Sequence, residues 1–389
     1  MNQLNQTKLG YLNQLFETEM KEKRIKGAAI QIIQNGEVAF SNQYGSDKED
    51  TIYKIFSMSK PIASVAAMIL YERGMLDLYD PVSKYLPAFS EMKVVGENGL
   101  EDAKNPILIR DLMNMTSGLV YPDVTGMSEM CMQKVAEEAL KRAKSGEKLS
   151  NVDICSMFAD APLKFEPGKR WNYGTSTDVC GAVVEVISGV TYGAFIQKEI
   201  LEPLGMTDTA FYIPESKLNR MAKVYTRTDE AGHLAEAKLS DLEYLGMNTP
   251  TQIPYFESAG GGLYSTLSDY AKFTQMLLHD GTFQGKRILG RKTIAFMHLN
   301  QLSKEQEDSI CWDSLYGYSY GNFMRVMVDK AVGASNGSIG EFGWDGLTGN
   351  YFCVDQEEDL AVIYMQQIKE GADQSLRRKM RQIIYGSLE

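Results

Sequence analysis

The sequence contains three Ser-x-x-Lys pairs, a spacing that can support acyl transfer without a histidine. The pairs are Ser57/Lys60, Ser90/Lys93 and Ser145/Lys148. On a helix, side chains three residues apart lie one turn from each other, so the lysine amine can reach the serine hydroxyl. A lysine whose pKa is lowered by burial can take the serine proton, and the serine oxygen can then attack a carbonyl.

Only Ser57 has the sequence context that a nucleophile of this kind needs. It follows the largely apolar run 52–56 and opens the segment 57–74, which is predicted to be a long buried helix. Pro61 is tolerated in the first turn of such a helix, and the helix dipole there favours a serine alkoxide. Ser90 follows a proline-containing loop and Ser145 lies among charged residues, so both are predicted to be surface serines. An ordinary helix-start serine remains the alternative for Ser57.

Histidine is scarce, and this narrows the possible chemistry. The chain has three histidines, at 233, 279 and 298, and none lies in a metal-ligand spacing. No Gly-x-Ser-x-Gly motif is present, and Gly260-Gly261-Gly262 lacks the lysine and the spacing of a phosphate-binding loop. A Ser-His-Asp hydrolase and a zinc hydrolase are therefore not expected, and no metal or other cofactor is predicted.

The segment 56–61, Phe-Ser-Met-Ser-Lys-Pro, resembles the nucleophile motif of class C β-lactamases, D-alanyl-D-alanine peptidases and family VIII carboxylesterases. The resemblance continues in register along most of the chain, through residues 80–82, 85–87, 109–112, 116–118, 165–168, 201–206 and 260–266. It implies a β-lactamase/transpeptidase-like fold of the α/β (α+β) class. In that fold an antiparallel sheet is flanked by helices, and a mainly helical domain is inserted.

The second motif of these enzymes matches Tyr173-Gly174-Thr175. The resemblance implies that Tyr173 shares proton transfer with Lys60, as general base or as relay, and leaves open which of the two is the base. β-Lactamases have an asparagine that contacts the substrate amide where this chain has Thr175. Thr175 is therefore a candidate substrate-binding residue, and the replacement resembles the esterases.

The third motif, usually Lys-Thr-Gly, matches Trp344-Asp345-Gly346, which are candidate substrate-binding residues. The tryptophan resembles family VIII esterases and removes the lysine that helps to hold a substrate carboxylate. Asp345 either faces the cleft, where it would repel an anion and favour an amine, or points away into a local hydrogen bond. The resemblance also implies an oxyanion hole formed by the backbone N–H groups of Ser57 and Leu347.

These residues predict a serine hydrolase that forms an acyl-enzyme, most simply a carboxylesterase on compact or short-chain esters with weak or no β-lactamase activity. Tyr121 and Tyr318 are candidates for the acyl pocket, although aromatic residues on strands more often belong to the core. A D-amino-acid amidase, a D-aminopeptidase or a DD-peptidase-like hydrolase is an alternative. A non-hydrolysing penicillin-recognition or scaffold protein is an alternative of another class.

Elements at both ends of the chain must position these motifs. Strand-like runs at 28–33 and 38–41 are separated by the turn Asn35-Gly36, and an amphipathic helix is predicted in 1–23. The last third is strand-like at 316–328, 351–354 and 360–365 and ends in a helix over 372–385. We therefore predict a sheet domain from residues 1–80 and 250–389, a mainly helical domain from 81–249, and an active site in the cleft between them.

The composition limits which binding partners and which cellular compartment are expected for this chain. The chain has 389 residues and a formal net charge of −11 with no dense basic block, so no nucleic-acid partner is expected. Residues 61–71, the longest nearly apolar run, are too few to cross a bilayer, so no membrane association is expected. Five scattered cysteines and the absence of a leader pattern predict a cytoplasmic protein with reduced thiols. The expected partner is a small ester or amide; nothing indicates the oligomeric state.

Overall fold

The computed structural model describes residues 3–229, 232–242, 244–245, 247–369, 371 and 373–389. The α-helices are α1 (Gln6–Leu9), α2 (Tyr11–Lys21), α3 (Lys60–Glu72), α4 (Ile109–Met113), α5 (Met127–Lys144), α6 (Asn151–Met157), α7 (Ser176–Ser188), α8 (Tyr192–Ile196), α9 (Glu202–Leu204), α10 (Leu267–Leu278), α11 (Arg291–Met297), α12 (Lys304–Glu307) and α13 (Gln374–Tyr385). A π-helical turn spans Gln197–Leu201, and short 3-10 helices span Phe56–Ser59, Val82–Lys84, Pro87–Ser90, Phe158–Asp160, Glu215–Arg220, Leu239–Leu242 and Asp313–Leu315.

The strands are β1 (Gly27–Gln34), β2 (Glu37–Gly45), β3 (Ile52–Lys54), β4 (Lys93–Gly96), β5 (Gly99–Asp102), β6 (Val224–Arg227), β7 (Leu234–Ala237), β8 (Tyr264–Thr266), β9 (Thr282–Phe283), β10 (Lys286–Arg287), β11 (Tyr318–Gly321), β12 (Met324–Met327), β13 (Phe342–Asp345), β14 (Tyr351–Asp355) and β15 (Leu360–Met365). In the described part of the chain, seven of them form one antiparallel sheet in the order β11-β12-β13-β14-β15-β1-β2. The central sheet thus combines strands from both ends of the chain, as predicted. The domain boundaries stay a prediction.

Each face of the sheet is covered by helices. Helices α3, α7 and α10 belong to the larger core cluster, together with Phe342, Trp344 and Phe352 of the sheet. The other face packs against α2 and α13 and contributes Tyr351 and Cys353. Because successive residues of a strand point to opposite faces, neighbouring residues of β13 and β14 enter different cores. This alternation separates Trp344 from Asp345 in the site described below.

Two predicted elements differ from the observed ones for local reasons. The predicted helix 57–74 begins as the 3-10 turn Phe56–Ser59 and becomes α-helical at Lys60. The predicted strand 316–328 is a hairpin, β11 and β12, that reverses at Asn322 and Phe323, both with positive φ. The turn Asn35-Gly36 also has positive φ at both residues, the backbone conformation that a two-residue hairpin turn requires.

Among the described residues, no single helix is both long enough and apolar enough to cross a membrane. Two consecutive helical segments have the length and composition of a membrane span only when they are taken together. They are Ser176–Ser188 and Tyr192–Leu204, and the chain bends by 77° between them.

Candidate active site

Ser57 is presented by a strained backbone at the start of the helical segment. Phe56, directly before it, has a φ of 45°, a conformation that is uncommon for a bulky residue and costs on the order of 1–3 kcal/mol. The side chains from Ile52 to Lys60 are buried, except that of Ser57, which is partly exposed. The strained residue therefore directly precedes the one residue of this run that is partly exposed.

Lys60 is fully buried and lies within hydrogen-bond distance of Ser57. Its Nζ is 3.2 Å from Ser57 Oγ, 2.9 Å from Tyr121 Oη and 2.6 Å from the carbonyl oxygen of Gly260. Burial lowers the pKa of Lys60 to about 7, and the charge of Asp178 opposes this change. Near neutral pH a large fraction of Lys60 is therefore neutral and able to accept the serine proton.

Tyr173 lies beside Lys60 and Trp344. Its hydroxyl accepts a hydrogen bond from Trp344 Nε1 at 3.1 Å. Lys60 Nζ lies 4.6 Å from the centre of its ring. Burial raises the pKa of Tyr173, and the polar groups of Ser57 and Trp344 oppose this change. The phenol is therefore protonated near neutral pH, which suits a relay that passes the serine proton to Lys60.

Tyr121 is a hydrogen-bond partner of Lys60. The sequence suggested it as a wall of the acyl pocket, but its hydroxyl is a direct partner of Lys60 Nζ. Its ring lies 5.7 Å from that of Tyr173, and burial raises its pKa. Lys60 therefore joins Ser57 and Tyr121 by hydrogen bonds, with the ring of Tyr173 beside them.

Asp178 is a site residue that the sequence analysis missed. It lies in the first turn of α7, and its Oδ1 accepts hydrogen bonds from Ser258 Oγ at 2.6 Å and from Gly260 N–H at 3.0 Å. Its Oδ2 is buried without a hydrogen-bond partner among the described residues. Burial raises the pKa of Asp178, and the charge of Lys60 opposes this change. The only signal in the sequence was its position five residues after Tyr173 of the second motif.

We expect Asp178→Asn to move the acid limb of the pH–rate profile to lower pH. The carboxylate charge of Asp178 stabilises the protonated form of Lys60. Without this charge the pKa of Lys60 falls further, by about one pH unit. The asparagine oxygen can still accept the bonds from Ser258 and Gly260. The measurement is kcat/KM for p-nitrophenyl butyrate as a function of pH. Glu257→Gln, which removes the part-buried carboxylate of the residue before Ser258, is the control; an acid limb that stays in place in Asp178→Asn would contradict the coupling.

The glycine segment 260–262 fits closely between these groups. A Cβ on Gly260 would lie 2.8 Å from Asp178 Oδ2 and 3.0 Å from Tyr121 Oη, so the close approach requires glycine. A second fully buried lysine, Lys54, donates to the carbonyl oxygens of Gly262 at 2.7 Å and Met247 at 3.0 Å. Burial lowers the pKa of Lys54 well below its ordinary value. Lys54 and Lys60 therefore hold the two ends of the segment 260–262 through its carbonyl oxygens.

The predicted oxyanion donors lie on two segments that are tied together. Asn350 Nδ2 donates to the carbonyl oxygen of Lys54 at 2.9 Å, and Gly346 N–H donates to the carbonyl oxygen of Asn350 at 2.8 Å. A Cβ on Gly346 would lie 2.6 Å from the carbonyl oxygen of Ile55, so the two segments touch along the backbone. The N–H groups of Ser57 and Leu347 stay the predicted oxyanion donors.

Trp344 and Asp345 point to opposite faces of the sheet. Trp344 faces Tyr173, whereas Asp345 forms ion pairs with Arg325 at 2.8 Å and with Arg377. Although burial opposes it, these two arginines hold the pKa of Asp345 below its ordinary value. The carboxylate that could have held a substrate amine is therefore already neutralised, which matches the alternative of a local structural role.

Two other candidate substrate-binding residues, Tyr318 and Thr175, lie in a separate cavity and in the buried interior. Tyr318 lines a separate cavity of about 230 Å³, together with Asp345 and four arginines. Thr175 is fully buried beside the start of α7, so its side chain offers a substrate no exposed surface.

The competing motifs are surface features. Ser90 is exposed and Lys93 pairs with Asp102, while Ser145 Oγ donates to the carbonyl oxygen of Arg142 at the end of α5. In the ranges that the structure describes, no group of three or more His, Cys, Asp or Glu side chains could hold a metal ion.

This fold and this site define a serine-dependent hydrolase or acyltransferase that works through an acyl-enzyme. The chain belongs to the Beta-lactamase family, whose sequence model matches residues 12–385. Protein Rv1367c from Mycobacterium tuberculosis is 32% identical over 331 residues, which cover 82% of this chain and 78% of that protein. Esterase EstB from Burkholderia gladioli is 26% identical and covers 96% and 94% of the two chains. The structure of "EstCE1, a hydrolase with promiscuous acyltransferase activity" superimposes with a TM-score of 0.81 at 22% identity, over 98% and 99%. The predicted fold and family are thereby confirmed.

Proposed function

We propose that this protein is a carboxylesterase that cleaves compact, uncharged esters through an acyl-enzyme on Ser57. The observation that carries the proposal is the hydrogen bond from Trp344 Nε1 to Tyr173 Oη at 3.1 Å. An indole stands where related β-lactamases have a lysine, so the group that helps to hold a substrate carboxylate is replaced by an uncharged ring. The name of Esterase EstB, a relative across 96% of this chain, supports the same chemistry.

The proposed reaction has two halves that use the same groups. Lys60, directly or through Tyr173, takes the Ser57 proton while Oγ attacks the ester carbonyl carbon. The resulting oxyanion is bound by the N–H groups of Ser57 and Leu347. The tetrahedral intermediate collapses, and the leaving alkoxide receives the proton held by Lys60 and Tyr173. Water then attacks the serine ester, gives its proton to the same pair, and releases the carboxylic acid with Ser57 restored.

Two features favour esters over amides and β-lactams. An alkoxide is a better leaving group than an amide anion, so an ester demands less of the proton donor. The carboxylate common to β-lactams and peptide substrates has no matching cation beside Trp344, because Arg325 and Arg377 are paired with Asp345 on the other face of β13. Weak or absent cleavage of carboxylate-bearing substrates follows.

Acyl transfer to an alcohol is a second candidate function. Tyr173 is lined by the indole rings of Trp312 at 4.8 Å and Trp344 at 5.6 Å, an apolar surface that favours an organic acceptor over water. The structural relative EstCE1, a hydrolase with promiscuous acyltransferase activity, combines both reactions in one protein.

The experiment compares p-nitrophenyl acetate and butyrate, nitrocefin and D-alanine p-nitroanilide as substrates. Turnover of the esters with little cleavage of the other two supports the carboxylesterase. Faster cleavage of the anilide would replace it with the amidase, and acylation of Ser57 without turnover would replace it with the penicillin-recognition protein. Adding butanol to the ester reaction and measuring the ratio of butyl ester to free acid separates transfer from hydrolysis.

A further inference from the structure

All three tryptophans of the chain lie around Tyr173. Their ring centres are 4.8 Å (Trp312), 5.6 Å (Trp344) and 6.2 Å (Trp171) from that of Tyr173. Trp171 and Trp312 meet edge to face at 5.2 Å, and Trp312 lies nearly parallel to Trp344 at 6.5 Å. The proton-relay tyrosine is therefore covered by a continuous aromatic wall.

Trp312 is the outermost member of this wall. It is 37% exposed, whereas Trp171 and Trp344 are 5% and 3% exposed. Its ring packs against those of Trp171, Tyr173 and Trp344, so this residue of the wall is the one that stays partly open to solvent. A large aromatic side chain gains free energy when such a surface is covered.

The segment that carries Trp312 is anchored on both sides. Before it, Ser309 Oγ accepts a hydrogen bond from the N–H of Trp171 at 2.8 Å. After it, the N–H of buried Leu315 donates to the carbonyl oxygen of Trp312 at 2.9 Å. The indole is thus held in place before a ligand arrives, which reduces the entropy lost on binding.

Two charged groups close to Tyr173 offer a ligand no free charge. Lys60 is fully buried, with its Nζ 4.6 Å from the centre of the Tyr173 ring, and Asp345 forms ion pairs with Arg325 and Arg377. The apolar side chain of Leu347, whose N–H is a predicted oxyanion donor, is 45% exposed. A flat uncharged group therefore suits the aromatic wall better than a charged one.

We propose that Trp312 is a specificity-determining residue whose open ring face binds an aryl group of the substrate, so that the preferred substrates are uncharged esters with an aryl group close to the scissile carbonyl. This inference rests on the proposed esterase function and names its substrate class. It assigns a role to a residue that the sequence motifs do not include.

The test uses pairs of esters that differ only in the aromaticity of one ring. Ethyl phenylacetate is compared with ethyl cyclohexylacetate for the acyl side, and benzyl acetate with cyclohexylmethyl acetate for the alcohol side, by titrating the acid released. Aromatic pairs contribute about 0.5–1.5 kcal/mol beyond area, so we expect the aryl member of one pair to have a kcat/KM about two- to tenfold higher.

Substitution of Trp312 provides the decisive comparison. Trp312→Leu should lower the ratio of kcat/KM for the aryl ester to that for the cyclohexyl ester to about one, because leucine still covers apolar surface but cannot stack. Trp312→Phe should keep most of the preference. An aryl preference that survives in Trp312→Leu, or none in the wild type, would overturn the proposal. So would a higher kcat/KM for acetylcholine than for the aryl esters, since it would assign the rings to a cation.

Binding is measured separately so that failure of the esterase function can be recognised. Because every tryptophan lies in the wall, tryptophan fluorescence of Ser57→Ala reports ligand binding there without turnover. Tighter binding of ethyl phenylacetate than of ethyl cyclohexylacetate to Ser57→Ala, lost in Ser57→Ala/Trp312→Leu, supports the aryl site even if no ester is cleaved. Equal binding of the two esters would overturn the aryl site whatever the activity.

Discussion

Replacing Ser57 with alanine should reduce kcat for p-nitrophenyl butyrate by about 10⁴- to 10⁶-fold, the loss typical of removing a serine nucleophile. The oxygen that forms the acyl-enzyme is removed, while Lys60 and Tyr173 remain. Ser57 is partly exposed and packs little, so the free energy of unfolding should change by less than about 1 kcal/mol. Burst kinetics with the wild type, and their absence in the variant, would locate the acyl group on this oxygen.

The chain supplies matched controls for this substitution. Ser90→Ala and Ser145→Ala remove serines from the same Ser-x-x-Lys pattern, but both serines are exposed and outside the site. Both variants should keep kcat within about twofold of the wild type, as expected for surface substitutions. Ester turnover that survives in Ser57→Ala, or is lost in one of the two controls, would assign the nucleophile to another residue.

Lys60→Met should abolish most of the activity and yet stabilise the protein. A neutral Lys60 is the group able to accept the Ser57 proton, so kcat should fall by at least about 10³-fold. Because Lys60 is fully buried, its amine loses its hydration on folding, which costs free energy. Methionine fills a similar volume and has no amine. Activity and stability are therefore expected to change in opposite directions, which a simple packing role would not produce.

The lowered pKa of Lys60 predicts how both the activity and the free energy of unfolding change with pH. In the wild type kcat/KM should rise with pH through about 7, because only the neutral amine accepts a proton. Since burial lowers the pKa of Lys60 from 10.5 to about 7, unfolding takes up a proton between these values. The stability advantage of Lys60→Met should therefore grow by about 1.4 kcal/mol per pH unit as the pH falls through this window, and level off below it.

Denaturant unfolding at several pH values measures this difference, with Lys54→Met as the control. Lys54 is also fully buried with a lowered pKa, but it contacts the carbonyl oxygens of Met247 and Gly262 and not Ser57. Lys54→Met should change the pH dependence of stability in the same direction and leave the acid limb of activity near pH 7. An advantage of Lys60→Met that does not vary with pH would contradict a neutral Lys60.

Ser57 and Lys60 could be predicted from the sequence because they lie in a short motif with its own local context, and Tyr173 because its segment resembles the second motif of the same enzymes. The apolar run before Ser57 and the buried helix after it distinguished this pair from those at Ser90 and Ser145. The hairpin β1–β2 was predictable for the same reason, since Asn35-Gly36 supplies the positive φ values of its turn. Local backbone preferences and periodic hydrophobicity are properties of neighbouring residues, so they can be read without a fold.

Contacts between distant segments were not predictable in this way. Gly260 meets Lys60 across 200 residues, and Tyr121 meets it across 61. Asp178 and Trp312 join the site only because α7 and the segment before β11 pack beside Tyr173. Asp345 illustrates the limit most clearly: the sequence left open whether it faces the cleft.

The sequence by itself thus determined the fold class and predicted the nucleophile and its two proton-transfer partners. The tertiary structure alone decided the electrostatics of the site. Burial brings the pKa of Lys60 to about 7, and Arg325 and Arg377 neutralise Asp345 on the far face of β13. The physical reason is that desolvation and charge pairing depend on which distant side chains surround a group, and only the packed fold specifies those neighbours.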